Sequence, residues 1–368
     1  MGQSLKVIKY KLFKIYKPKN IGREIEKVYK SGVITEGKYS ELFEKKFAKF
    51  INNKNCVLVN SGTSALTLAY RLIGIKKGDE VIVTPLTCMA TNEPLDVIGA
   101  KLVFADIDPE TGNIDLADLK KKINSKTKAV SFVHWSGQPF DIKSVKKICR
   151  KYNVKIVEDA AHALGAKYQN KQIGNHGNYC IFSFQAIKHL SSVDGGVLVC
   201  RNKKEVERAK KLRWFGLKRD IKGNKWKQDI VESGYKFHMN NIISSIGLLN
   251  LKGLRNRINK YISNGKYYDQ NIKNRKVKLF SRKISGSSYW IYSLLVDDKK
   301  NFKKYLNSFG IETDEVHVRN DQYTVFKKYR KKNLKGTEII EKKMLNIPVG
   351  WWLKRKDLKY ITDVINDY

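Results

Sequence analysis

Acidic residues are scarce in this chain. Its 368 residues include 35 aspartates and glutamates against 73 lysines and arginines, a formal net charge of +38. An imbalance of that size raises nucleic acid or an anionic membrane surface as partners. The lysines are spread over the whole chain, however, and aromatics are not interleaved with them in one block. The charge is therefore read as solvated faces, which would also attract an anionic cofactor or a nucleotide-linked substrate. Cysteine is sparse too. Cys56, Cys88, Cys149, Cys180 and Cys200 show no C-x-x-C spacing, so nothing suggests a disulfide framework or a metal site, and buried thiols in a reducing compartment are expected. Long apolar runs are missing: VLVNSGTSALTLAY is broken by Ser, Gly and Thr, and nothing approaches the roughly 20 apolar residues of a membrane span. The N-terminal MGQSLKVIKYKLFKIYKPKN is basic without a signal-peptide core. Lys6 stands where a myristoylation motif requires Ser or Thr. There is no internal repeat. The expectation is a soluble cytoplasmic protein.

What is present is an alternation. CVLVN, VIVTP, KLVFADID, KAVSFVHW, VKIVED, NYCIFSF and GGVLVCRN read as strands, and amphipathic segments such as SGTSALTLAYRLIG, LADLKKKI and DIKSVKKICRKYN separate many of them. With 42% apolar content, this predicts an α/β protein with a mostly parallel sheet flanked by helices. An amphipathic helix upstream is expected to bury Leu42, Phe43, Phe47 and Phe50. Downstream, GYKFHMNNIISSIGLLNLKGLRNRINKYISNGKYYDQNI is expected to be a loop and then one long helix that bridges to a small α+β part. That part contains the strands SSYWIYSLLVD and IETDEVHV and a terminal helix LKRKDLKYITDVIND. The expected division is residues 1–245, a large domain with an N-terminal arm, and residues 246–368.

In such sheets ligands bind at the carboxyl ends of the strands. Ser61-Gly62-Thr63, Pro85 to Met89, His134-Trp135, Asp159 and Ser183 all fall at such ends. The first of these opens a helix, where free amides and the dipole favour an anion; no G-K-[ST] follows, so it is not a P-loop. FSFQAIKHLSSVDGG adds a lysine, Lys188, between an apolar strand and the glycine pair Gly195-Gly196. A lysine to form an imine, a carboxylate to keep a pyridine nitrogen protonated and hydroxyls to hold a phosphate are what pyridoxal phosphate requires. Glu158, on the opposite face from Asp159, reads as structural.

With NSGTSAL, VEDAAHALGA and FSFQAIKHLSSVDGG taken together, the chain resembles the DegT/DnrJ/StrS nucleotide-sugar aminotransferases, pyridoxal-phosphate enzymes of the aspartate aminotransferase fold. The resemblance spans nearly the whole chain. It implies a large seven-stranded-type sheet domain of fold type I, a small C-terminal domain and a homodimer with shared active sites. It makes Lys188 the Schiff-base lysine and Asp159 the partner of the pyridine nitrogen. Ser183, Gly62 and Thr63 become phosphate contacts, and His162 lies near the cofactor's phenolic oxygen. Met89 falls where relatives have a ring stacked on the cofactor, Gln185 replaces a common histidine, and Asp194 replaces a common glutamate. Lys236 replaces an asparagine that reaches the phosphate from the partner subunit. His189, Trp214, His317 and Arg319 are candidates for the sugar-nucleotide cleft. The implied activity is amino transfer, with glutamate as donor, to a nucleotide-linked 4-keto-6-deoxy sugar in glycan or lipopolysaccharide precursor synthesis. Two alternatives stay open. One is a sugar 3-dehydratase on the same cofactor, against which Lys188 argues because related dehydratases have histidine there. The other is a non-catalytic basic protein that binds nucleic acid or an anionic surface.

Overall fold

The computed structural model describes residues 7–219, 224, 227–282, 284, 286–330 and 333–368; Lys6 lies outside them. After α1 (Ile21–Lys30) and α2 (Lys38–Ile51), strands and helices alternate: β1 (Cys56–Val59), α3 (Gly62–Ile73), β2 (Glu80–Val83), α4 (Met89–Ile98), β3 (Lys101–Phe104), α5 (Leu116–Lys122), β4 (Thr127–Val133), α6 (Ile142–Arg150) and β5 (Lys155–Asp159). A small hairpin, β6 (Lys167–Tyr168) with β7 (Lys171–Gln172), leads to β8 (Tyr179–Ser183), β9 (Gly196–Val199) and α7 (Lys203–Leu212). The large sheet has seven strands in the order β1-β9-β8-β5-β4-β2-β3. Only β9 runs antiparallel to its neighbours, β1 and β8; the remaining pairs are parallel. Strands such as CVLV and EVIV are buried throughout, as a sheet covered by helices on both faces requires. Val57 and Val59 pack with Ala65, Leu68 and Ala69 of α3, while Leu58 shares the opposite cluster with Phe43 and Phe47 of α2.

The core stripe of α2 differs from expectation. Phe43, Phe47 and Ile51 are wholly buried, whereas Leu42 is exposed and Phe50 only half-buried. Spacing of four residues keeps the first three on one helix face, and Leu42, one residue off that stripe, turns about 100° away.

Beyond the large sheet, the expected bridging helix is two helices, α8 (Asn241–Leu251) and α9 (Leu254–Asn271). Gly253 breaks them with φ +67°, a left-handed conformation that glycine adopts freely. α8 packs on α1 and α2. The C-terminal elements are β10 (Val277–Leu279), β11 (Tyr292–Val296), α10 (Lys299–Ser308), α11 (Lys335–Lys343), β12 (Met344–Ile347) and α12 (Arg355–Asn366). The three strands form an antiparallel sheet in the order β10-β11-β12. IETDEVHV is not the strand expected. It makes only isolated bridges, Tyr10 with Ile311 and Asp314 with Asn346, because MLNI takes the place beside β11. No helix among the described residues is long and apolar enough to cross a membrane.

Asp106, just after β3, fastens the C-terminal elements to the large sheet. Its carboxylate accepts from the Gly336 amide, the Thr337 amide and the Thr337 hydroxyl, each at 2.8 Å. These are first-turn donors of α11 that have no intrahelical partner. Asp106→Ala strands them in a buried place, and a loss of about 3 kcal/mol is expected from the urea midpoint. An unchanged midpoint would contradict this role.

Candidate active site

Gly62 and Thr63 open α3, whose first-turn amides no helical carbonyl can reach. Ser61 caps the helix by accepting from the Ser64 amide at 3.0 Å. Ser183 ends β8 beside this turn: a Cβ on Gly62 would lie 3.1 Å from Ser183 Cβ and 3.3 Å from its Oγ. Gly196 starts β9 against the same turn. A Cβ there would lie 2.7 Å from Ser61 C and O and 2.8 Å from Gly62 N, so only glycine allows this backbone-on-backbone approach. The result is a corner with a hydroxyl and free amides at a helix N-terminus, suited to an anion.

Asp159 ends β5 and is buried. Its Oδ2 accepts from Thr91 Oγ1 at 2.6 Å and its Oδ1 from the Ala161 amide at 3.0 Å. Thr91 is itself fixed, because its carbonyl accepts from Tyr70 Oη at 2.8 Å and its hydroxyl pairs with Thr87 Oγ1 at 2.8 Å. Strand alternation sends Glu158 to the other face. There it accepts from Asn178 Nδ2 at 2.6 Å and pairs with His134 Nε2 at 3.1 Å.

Lys188 is half-buried. Its amine lies 3.5 Å from the centre of the Trp290 ring. Burial lowers its pKa to about 8, against the partly opposing charges of Cys88 and Asp159. His162 stacks on the other residues of this group: its ring centre is 3.9 Å from Trp290 and 5.3 Å from His317, with the two imidazoles 4° from parallel. Burial, with the Lys188 charge next, holds His162 well below the usual histidine range and His317 at about 3. Both rings are therefore neutral at pH 7. His162 Nδ1 and His317 Nε2 are buried with no hydrogen-bond partner. Buried polar atoms are rarely left so, and here they lie in the cluster around the Lys188 amine. The chain thus presents an amine, a fixed carboxylate, an anion corner and an orphaned imidazole nitrogen, a donor set that fits a phosphorylated pyridine aldehyde.

Trp290 was not among the residues singled out from sequence. It sits 102 positions beyond Lys188, in the segment leading into β11, and no one-dimensional spacing links them. The loop before α4 also reads differently in three dimensions. Met89 packs against the cluster under α3, whereas Cys88 is exposed and is the residue whose charge bears on Lys188. Lys236 is exposed; its carbonyl accepts from Asn60 Nδ2 at 3.3 Å, next to the anion corner of its own chain. Other candidates have partners of their own. His189 turns to the Ser288 carbonyl at 3.2 Å and the edge of Tyr261. Trp214 lies under Arg219 at 4.3 Å and against His238. Arg319 is occupied by a two-pronged pair with Asp321, both contacts 2.6 Å, and by Glu341 at 3.1 Å.

The seven-stranded sheet with its site at the strand ends places the protein among fold-type-I pyridoxal-phosphate enzymes, and its structural neighbours are sugar aminotransferases of that fold. Residues 16–366 match the DegT/DnrJ/EryC1/StrS aminotransferase family, and the chain belongs to it. It is 30% identical over 366 residues to GDP-perosamine synthase of Escherichia coli O157:H7, covering 97% of this chain and 99% of that one. It is 29% identical to UDP-4-amino-4,6-dideoxy-N-acetyl-beta-L-altrosamine transaminase of a Campylobacter jejuni strain, over 93% of this chain and 92% of that one. The crystal structure of the sugar aminotransferase CalS13 from Micromonospora echinospora superposes with a TM-score of 0.92 at 32% identity, covering 98% and 100% of the two chains. The protein is a nucleotide-sugar aminotransferase family enzyme.

Two outcomes test this geometry. Gly196→Ala forces a methyl into the Ser61–Gly62 backbone and is expected to cost roughly 1–3 kcal/mol in the urea midpoint. The second concerns Lys188 in the cofactor-free protein. Its amine is near 8 when folded and at the ordinary 10.5 when unfolded, so below pH 8 the folded state bears the full cost of a buried ammonium, roughly 3 kcal/mol. That cost fades as pH rises from 8 to 10.5. Lys188→Met is expected to be the more stable protein at pH 7, with the gap closing across that window; a gap constant with pH would show that the amine is not so perturbed.

Proposed function

We propose that the enzyme transfers an amino group, with glutamate as donor, to a nucleotide-linked 4-keto-6-deoxy sugar, using pyridoxal phosphate. The observation that carries this reading is the Lys188 amine, set 3.5 Å over the Trp290 ring and lowered to about 8 by desolvation, in a group with Asp159 and the unpartnered His162 nitrogen. When bound, the cofactor supplies an electron sink that stabilises negative charge on the substrate carbon. Asp159, held by Thr91 and Ala161, would pair with the ring nitrogen and keep it protonated. Ser183 and the Gly62–Thr63 amides would hold the phosphate, and His162 would lie near the phenolic oxygen. Lys188, near its working pH, would carry a proton at Nζ between the substrate carbon and the cofactor. Met89, the first residue of α4, would cover the ring where relatives place an aromatic.

In this reading His317 faces the sugar. The enzyme is a cytoplasmic homodimer whose partner subunit completes each site through the Lys236 loop. Residues 1–245 form the cofactor domain and residues 246–368 the small domain. The relatives' named products, GDP-perosamine and a UDP-linked amino sugar, support an acceptor of this class for polysaccharide precursors.

The test has two parts. Purified protein supplied with pyridoxal phosphate is expected to absorb above 400 nm and bleach with borohydride, and Lys188→Ala is expected to lose that band. Incubation with glutamate and a panel of nucleotide-linked keto sugars is expected to yield a product with the mass of the amino sugar. A wild type that never shows the band, or that aminates no member of the panel, would overturn the assignment.

A further inference from the structure

The contact between Lys188 and Trp290 asks for a role of its own. Lys188 comes from the loop after β8, and Trp290 from the segment entering β11 of the C-terminal sheet. The Trp290 indole is fixed on several sides: Nε1 donates to the Ile187 carbonyl at 2.9 Å, His162 stacks at 3.9 Å and 23°, and Phe13 packs at 5.4 Å. The residue is 1% exposed. The Ile187 bond is telling, because it ties the indole to the backbone immediately before the lysine. The ring is therefore set under this amine by the same loop that carries it.

The charged and titratable groups facing Lys188 are few. They are Asp159 from β5, Cys88 from the loop before α4, His162, His317 and the neighbouring His189. The three histidines are neutral, so they offer the ammonium no counter-charge. Asp159 has both oxygens engaged by Thr91 and Ala161. What lies directly against the amine is the face of the indole, whose quadrupole attracts a cation, most strongly where water is excluded.

We propose that Trp290 is a positioning residue that stabilises the protonated amine of Lys188, opposing burial and so setting the pH at which the amine gives up its proton. Burial alone drives the amine towards the neutral form; the ring face draws the proton back. The balance leaves a base that releases its proton near neutral pH, and the ring also gives the free side chain a defined resting place. Because Trp290 leads into β11 of the C-terminal sheet, docking of those elements on the large sheet is part of what tunes the lysine. The inference builds on the proposed role of Lys188 as proton carrier, but its test needs neither sugar nor turnover.

Cofactor-free protein is exposed to pyridoxal at a series of pH values and trapped with borohydride, and modification of the Lys188 peptide is followed by mass. The wild-type rate is expected to rise with a midpoint near 8. Trp290→Leu removes the ring face, and the midpoint is expected to fall by about one pH unit. Trp290→Phe and Trp290→Tyr keep a weaker ring and are expected to fall between the two. They also preserve the test should the leucine variant fail to fold. Folded variants that retain the wild-type midpoint, or shift it upward, would overturn the proposal. A wild type that shows the expected midpoints but aminates no sugar would instead overturn the proposed function and leave this assignment standing.

Discussion

A half-buried, desolvated lysine amine is the constraint on which this structure turns. Burial penalises the charged form, and the usual remedy, a close carboxylate, is absent: no ion pair is made by Lys188 among the described residues, and Asp159 is committed to Thr91 and Ala161. The cation rests instead on Trp290. A protein tolerates such an arrangement where it serves chemistry, since perturbed groups collect at functional sites. The surrounding imidazoles, His162 and His317, are pushed to the neutral state by the same burial and by the same charge. Burial first, and the Lys188 charge second, therefore set the protonation of these rings.

The rest of the fold can be understood as what holds that group in register. β1, β5 and β8 point the same way, so Ser61-Gly62, Asp159 and Ser183 reach one end of the sheet. β9, inserted antiparallel between β1 and β8, brings Gly196 to that end as its first residue rather than its last. The glycine is needed because the Ser61–Gly62 backbone occupies the space a side chain would take. Tyr70, Thr87 and Thr91 form a hydrogen-bonded support beneath Asp159. From the other side, Asn320 anchors the segment carrying His317 to the loop before α4, donating to the Thr87 carbonyl at 2.8 Å. The threonine that supports Thr91 thus also receives the C-terminal segment.

Much of this was legible in one dimension. The alternation of strands and helices, the strand-end positions and the Lys188 block follow from local pattern, because each depends on residues within a few positions of one another. The misreadings share the opposite property. IETDEVHV has strand composition, but the place beside β11 went to MLNI, a competition between segments about 30 residues apart. The break between α8 and α9 rests on a single glycine within a helical periodicity, where glycine is tolerated often enough to be passed over. Leu42 and Phe50 are as apolar as Phe43, and only the face actually covered by neighbours separates them.

The order of residues by itself determined the family, the architecture of the large sheet and the chemistry of its strand ends, since hydrophobic period and turn residues dictate strand direction and so the edge where side chains collect. Tertiary structure alone decided the environment of the reactive amine. Trp290 and His317 reach it from the far end of the chain, Cys88 rather than Met89 bears on it, and Arg319 and His189 are engaged elsewhere. The reason is physical: burial, ring contact and charge depend on distance through space, and no spacing along the chain encodes which distant side chain will close over a given atom.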